Sequence, residues 1–230
     1  MLKANFITAQ EAAEKIQDGS TLCTIGMTLV SASESILKAI EKRFETVGHP
    51  ADITLVHSCG QSDRKDGIQH LAHEGLVKRI VGSHWGLQPR WMEMIANSQV
   101  EAYCLPQGQI AQLYRSMACG LPGKMSKVGL GTFIDPRVEG GKMNDRTKPL
   151  PDLVDILEYG GEEYMFYKEI PLDTVLIRGT VCDEMGNLTT TEEAMKLEVL
   201  PAVLAAKRYG GRVIAQVKQV YSQERSIQRM

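Results

Sequence analysis

Apolar positions along the chain switch repeatedly between two spacings. Short continuous apolar runs alternate with stretches that carry one apolar face, which predicts strands followed by helices. Residues 21–25 read as a buried strand ending at Gly26, and residues 53–57, 79–82, 102–105, 173–179 and 212–217 as further strands. Between them, Ile36, Leu37, Ile40 and Phe44 share one helical face. Leu71, Leu76 and Val77 suggest another helix, and Pro89 suits the first turn of one ending near Ala96. A helix over 110–118 is stopped by Gly120 and Pro122. Polar punctuation fits this reading. Thr8/Glu11, Ser31/Glu34 and Thr190/Glu193 are spaced as capping boxes, which open helices by satisfying their first backbone N–H groups. Gly19 closes the first helix, and Gly210-Gly211 close the last one at Arg208.

Strand–helix alternation of this kind argues for an α/β fold, an open and mainly parallel sheet flanked by helices. The rhythm changes after residue 128. A β-hairpin inserted after residue 150 is expected, with strands at 154–159 and 163–167 around Gly160-Gly161 and a place on the edge of the main sheet. Asp183 to Asn187 reads as a turn. One domain is expected over residues 1–220. Residues 221–230 are polar with no terminating helix, and read as a tail or as the start of a linker to a missing second half.

Bulk properties exclude more than they assign. At 230 residues the chain can bury a sizeable core. A net charge of −2 offers no electrostatic case for nucleic acid. No apolar run is long enough to span a bilayer. Five scattered cysteines without a CxxC pair indicate neither a disulfide framework nor a zinc site, and fit a reducing, cytoplasmic compartment.

The most informative run is 128–144, VGLGTFIDPRVEGGKMN. An apolar stretch over 126–130 passes into Gly131-Thr132, and closely spaced glycines after a strand mark the place where open α/β sheets form their crevice. Two ordinary turns are the alternative. The corner Gly26-Met27-Thr28 offers backbone N–H groups that can hold a phosphate, a carboxylate or an oxyanion, or is a plain strand-to-helix turn. Gln107, after the strand at Cys104, can donate a hydrogen bond to a carboxylate or carbonyl while uncharged, or faces water. Cys59 follows a strand with His57 nearby, so a thiol nucleophile and a small buried cysteine both remain open. His70 and His73 lie three apart at a spacing that can grip a metal, without an acidic partner at a telling distance in sequence. GxGxxG fails at Ile134, Gly123-Lys124 lacks the glycine of a phosphate loop, and Ser83 is misplaced for GxSxG. Glu139 reads as a solvated turn residue.

Taken together the segments resemble the first (α) half of a family I CoA-transferase, with the acetate/propionate CoA-transferases and the acyl-CoA:3-ketoacid CoA-transferases closest. The resemblance rests on Phe44, on 73–79, Gly82-Ser83-His84-Trp85, Glu101-Ala102-Tyr103 and Pro106-Gln107-Gly108, and on the VGLGTFIDPR and GGKMN runs. It extends through Ile177-Arg178-Gly179-Thr180 and 183–187. It implies the open α/β fold that CoA-transferases share with sugar-phosphate isomerases. It also implies short-chain fatty acid or ketone body metabolism, with transfer of CoA from a short-chain acyl-CoA to a carboxylic acid through a glutamyl-CoA intermediate. CoA is then a substrate and no cofactor or metal is expected. The nucleophilic glutamate of the family belongs to the β half, so no catalytic residue is expected in this chain. The chain alone is expected to be inactive, and a β half and an oligomer are the expected partners. Gly26, Met27, Thr28, Gln107, Gly129, Gly131 and Thr132 are the residues expected to line the substrate and its oxyanion. The sequence departs from the family where Met27, Thr28, Val30, Ser31 and Ser33 replace the usual glycines and proline. A non-catalytic metabolite-binding module of sugar-phosphate isomerase-like fold is the alternative.

Overall fold

The structure is a computed structural model that describes residues 3–221. Its centre is a sheet whose strands β1 (Thr21–Thr24), β2 (Ile53–Val56), β3 (Val77–Gly82), β4 (Glu101–Cys104), β8 (Thr174–Asp183) and β10 (Arg212–Tyr221) all run parallel. They stand in the order β10-β8-β1-β2-β3-β4, and the short β9 (Leu188–Thr189) pairs antiparallel with β8. The expected open parallel sheet is therefore present.

Side chains alternate across the strands, and this divides the core in two. Leu22, Leu55, Ile80 and Ala102 face one cluster, against α1 (Ala9–Glu14), α2 (Glu34–Val47) and α3 (Pro89–Ala96). Cys23, Val56, Val81 and Tyr103 face the other, against α4 (Gln107–Ala118) and α5 (Val199–Arg208). Helices on both faces explain why the strands read as continuous apolar runs.

Several local expectations are met. Thr8 and Glu11 form a capping box at α1, Pro89 opens α3, and Gly210, at φ +72°, follows the end of α5 while the Gly211 N–H returns to the Ala206 carbonyl. Others are corrected. Ser31 does not cap α2: its hydroxyl donates to the Met195 carbonyl at 3.1 Å, and the helix starts after Ser33 with no side-chain cap. Thr190 and Glu193 open no helix, because residues 190–198 lie irregularly against the segment after β1 and α5 begins only at Val199. Leu76 and Val77 are not helical: a 3₁₀ turn covers Gly67–Leu71, and Val77 already belongs to β3.

The hairpin after residue 150 forms, as β6 (Val154–Tyr159) and β7 (Glu162–Lys168), but not on the main sheet. It joins β5 (Gly123–Ser126) in a separate three-stranded antiparallel sheet, because Val154, Met165 and Tyr167 are buried in the second core cluster. The strand expected over 126–130 is likewise replaced by β5 and a turn. What covers the β4 edge is the GGKMN run. Cys104 donates its N–H to the Gly141 carbonyl (2.7 Å) and Met143 to the Ala102 carbonyl (3.0 Å), while the Asn144 amide donates to the Ile95 and Val100 carbonyls. A Cβ on Gly141 would stand 2.5 Å from the Cys104 carbonyl oxygen, so the backbone can come this close only at glycine. The tail expected from residue 221 begins inside β10, whose last residue is Tyr221, and residues 222–230 lie outside the described residues.

Candidate functional site

The carboxyl ends of parallel strands, where the chain must turn outward into a helix or loop, are where open α/β sheets form their clefts. Here the segments after β1, β2, β3 and β4 contribute in turn Thr28, then Cys59 and Gly60, then Ser83, His84 and Leu87, then Leu105, Pro106 and Gln107. Phe133 and Ile134 close one side, around a cleft of about 560 Å³. Gln107 is the first residue of α4, so its amide is presented at the positive end of a twelve-residue helix.

Of the residues expected from sequence, Thr28 and Gln107 are brought together in this cleft, whereas Gly26, Met27, Gly129, Gly131 and Thr132 are not among its lining residues. The corner after β1 is tightly closed. Met27 donates its N–H to the Val30 carbonyl (3.0 Å) and Thr28 donates its own to the Gly60 carbonyl (2.8 Å), so neither amide is open to a ligand. Thr28 holds φ +52°, a backbone conformation more at home on glycine, and its amide bond anchors the β2 segment that carries Cys59 and Gly60.

The glycine run builds a turn rather than a cradle. Thr132 donates its hydroxyl to the Gly129 carbonyl (2.7 Å), and Tyr167 donates its own to the Val128 carbonyl (2.6 Å). The Asp135 carboxylate accepts from the Gly131 N–H and, through both oxygens, from the Arg137 guanidinium. Arg137 holds this carboxyl far below the usual carboxylate range. This locked turn aims Phe133 and Ile134, the next residues along, at the cleft.

A thiol nucleophile is not assembled. His57 Nδ1 meets the Cys59 carbonyl (2.8 Å), not its sulfur, and burial lowers the imidazole pKa to about 4. Burial, aided by the nearby Glu198 carboxylate, raises the Cys59 thiol, and burial alone raises Cys104 to about 11. Both therefore stay protonated near neutrality and serve as small apolar wall. Glu198, at the start of α5, accepts a hydrogen bond from Ser58 behind the cleft, and its burial raises its own pKa. Sequence reasoning missed Ser83, His84, Leu87, Phe133 and Ile134 as lining residues. The available signal was their position just after strands or beside the glycine turn, which becomes decisive only once the strand order is known.

Comparison with known proteins places this architecture. The family model described as Coenzyme A transferase matches residues 6–228. Among curated proteins, the chain is 44% identical over 216 residues to a caffeate CoA-transferase of Acetobacterium woodii, covering 94% of this chain and 41% of that protein. It is 25% identical over 204 residues to the acetate CoA-transferase subunit alpha of Escherichia coli K12, covering 89% of this chain and 83% of that subunit. Among solved structures, an acyl-CoA transferase (YdiF) of E. coli O157:H7, crystallised as a thioester complex with CoA, superposes with a TM-score of 0.92 at 35% identity, over 96% of this chain and 43% of that one. The chain thus spans less than half the length of the caffeate enzyme and of YdiF. Matched along nearly its whole length by one family model, and over most of its length by a separate alpha subunit, this chain belongs to the coenzyme A transferase family as the α half of a family I enzyme.

Proposed function

We propose that this chain forms one wall of the acyl site of an enzyme that moves CoA from a short-chain acyl-CoA to a second carboxylic acid, and that the attacking glutamate lies on a β half outside these 230 residues. The observation that carries this reading is the lining of the cleft: apolar surface and hydrogen-bonding groups, with no aspartate or glutamate among the described residues.

In this reading the carboxylate of the β half attacks the thioester carbonyl carbon, and CoA leaves the tetrahedral adduct as thiolate, which gives a mixed anhydride. The thiolate then attacks the glutamyl carbonyl, which releases the first acid and leaves a glutamyl thioester. The second carboxylate takes up CoA by the same pair of steps in reverse. An anhydride hydrolyses readily, so water must be kept away. Leu87, Leu105, Pro106, Phe133 and Ile134 supply a dry wall. Negative charge gathers on the carbonyl oxygen in each tetrahedral state, and Gln107 would supply a neutral donor to it, with Thr28 also in the lining of the cleft. The exposed apolar side chains of Val128, Phe133 and Val138 around the glycine turn suit a surface covered by a partner half or a larger oligomer. Five free thiols suit a reducing compartment such as the cytoplasm. No described helix is long and apolar enough to cross a membrane. A sugar-phosphate-binding module finds less support, since among the described residues neither lysine nor arginine lines the cleft.

The test is exchange of labelled acetate or propionate into the corresponding acyl-CoA. The chain alone should give none above background, whereas pairing it with its β half should restore transfer. Turnover by the lone chain at rates typical of enzymes overturns the reading. In the paired enzyme, Gln107→Ala should lower kcat/KM by about tenfold to a hundredfold, the loss expected for one hydrogen bond to a charged transition state.

A further inference from the structure

Among residues of α2 and the β2–β3 connection that do not line the cleft lies a cluster of histidine and carboxylate groups that the CoA-transferase chemistry does not use. His70 sits in the 3₁₀ turn, not on an α-helix, with its side chain 12% exposed. The acidic partner that sequence spacing did not reveal comes from α2, which lays Glu34 and Glu41 against the turn. His70 Nδ1 is held by the Glu41 carboxylate, which His73 Nε2 also contacts at 2.9 Å and Arg90 at 3.3 Å. His70 Nε2 faces Glu34 Oε1 at 2.9 Å and Asp66 Oδ1 at 3.3 Å. The second Glu34 oxygen accepts the Gly67 N–H at 2.9 Å, which fixes that carboxylate in place.

We propose that Glu34, Asp66 and His70 form a binding site for a divalent transition-metal ion of the zinc type. Three observations converge. The spacings between Nε2 and the two oxygens are close to the edge of about 3.3 Å expected of a tetrahedron with metal–ligand distances of 2.0–2.1 Å. Glu41 on Nδ1 supplies the carboxylate–histidine pairing that second shells provide at zinc sites, and it orients the ring so that Nε2 faces the Glu34 and Asp66 oxygens. The Lys38 ammonium already lies 3.1 Å from both carboxylates. Lys38 is 53% exposed and free to swing out, so it marks the cation position and competes for it. A bound ion would tie α2 to the loop that leads back to Cys59 and Gly60 in the cleft wall.

The experiment is titration of the 230-residue chain with zinc in chelator-free buffer, read by calorimetry and native mass spectrometry, with cobalt as a spectroscopic substitute. Expected are one ion per chain, visible cobalt bands of a low-symmetry four-coordinate site, and a zinc-dependent rise in Tm. Asp66→Asn and His70→Gln should weaken binding by tenfold or more, and Glu41→Gln by a smaller factor. Lys38→Met should tighten it without changing the stoichiometry of one ion per chain. Circular dichroism of each metal-free variant verifies folding. Absence of stoichiometric binding overturns the proposal, as does binding that survives His70→Gln but is lost in His73→Gln.

Discussion

The imidazole of His57 fills the space that a side chain on Gly82 would need. Both residues sit at carboxyl ends of neighbouring parallel strands, and the His57 N–H donates to the Val81 carbonyl at 3.0 Å. The ring cannot retreat, since its Nδ1 is bonded to the Cys59 carbonyl and its edge meets Trp85 at 6.1 Å between centroids. Gly82→Ala should therefore lower stability by about 3 kcal/mol, the upper range for overpacking a core. Urea unfolding measures it; a loss below about 1 kcal/mol would mean that the wall of the cleft is softer than this packing implies.

The same ring sets a pH dependence. Above pH about 6.5 the imidazole is neutral in both folded and unfolded chains. Between there and its folded value of about 4, only the unfolded chain takes up the proton, so stability falls as the pH falls. The full loss is about 3 kcal/mol, reached near pH 4. His57→Asn keeps a donor toward Cys59 without the titration. Denaturation midpoints at about pH 7 and pH 4.5 should thus differ less in the variant than in the parent. Equal slopes would remove His57 as the source.

Gly129 and Gly131 share positive φ, +101° and +70°, but not their surroundings. A Cβ on Gly129 would stand 2.7 Å from the Tyr167 hydroxyl, whereas one on Gly131 meets nothing within 4 Å. Gly131→Ala should cost about 1 kcal/mol from backbone conformation alone. Gly129→Ala should cost clearly more and break the Tyr167 bond to Val128. Calorimetric Tm values that place the two variants together would contradict this.

Asp135 is 1% exposed and bonded through both oxygens to Arg137, whose other end reaches Glu163. Asp135→Asn weakens the charge-assisted bonds that Asp135 accepts from Arg137 and the Gly131 N–H, while the half-exposed guanidinium keeps Glu163, and should lower stability by about 2 kcal/mol. Because this turn carries Phe133 and Ile134 into the cleft, KM of the paired enzyme should rise as well. Stability loss with unchanged kinetics would separate the turn from the site.

Fold class and most strand and helix positions were legible in the chain because they rest on local periodicity. Alternating apolar runs, Thr8 with Glu11 and Pro89 act within a few residues of themselves. The errors share one cause. Ser31, Thr190 and Glu193 have the residue types of caps, but Ser31 found a partner in Met195, more than 160 residues away, and a distant hydrogen bond leaves no mark on local spacing. Sheet membership of the 154–168 hairpin was likewise decided by which core its Met165 and Tyr167 enter. Within the site, Thr28 and Gln107 were recognisable because each follows a strand. By itself, the sequence determined a parallel α/β scaffold and a family resemblance carried by VGLGTFIDPR and GGKMN. Only the tertiary structure decided that the first run supports the cleft through an Asp135–Arg137 lock and that the second seals the edge of β4. It alone placed Glu34 and Glu41 beside His70. Strand order and helix packing bring such residues together, and the chemistry of a site depends on distances in space that the order of residues does not record.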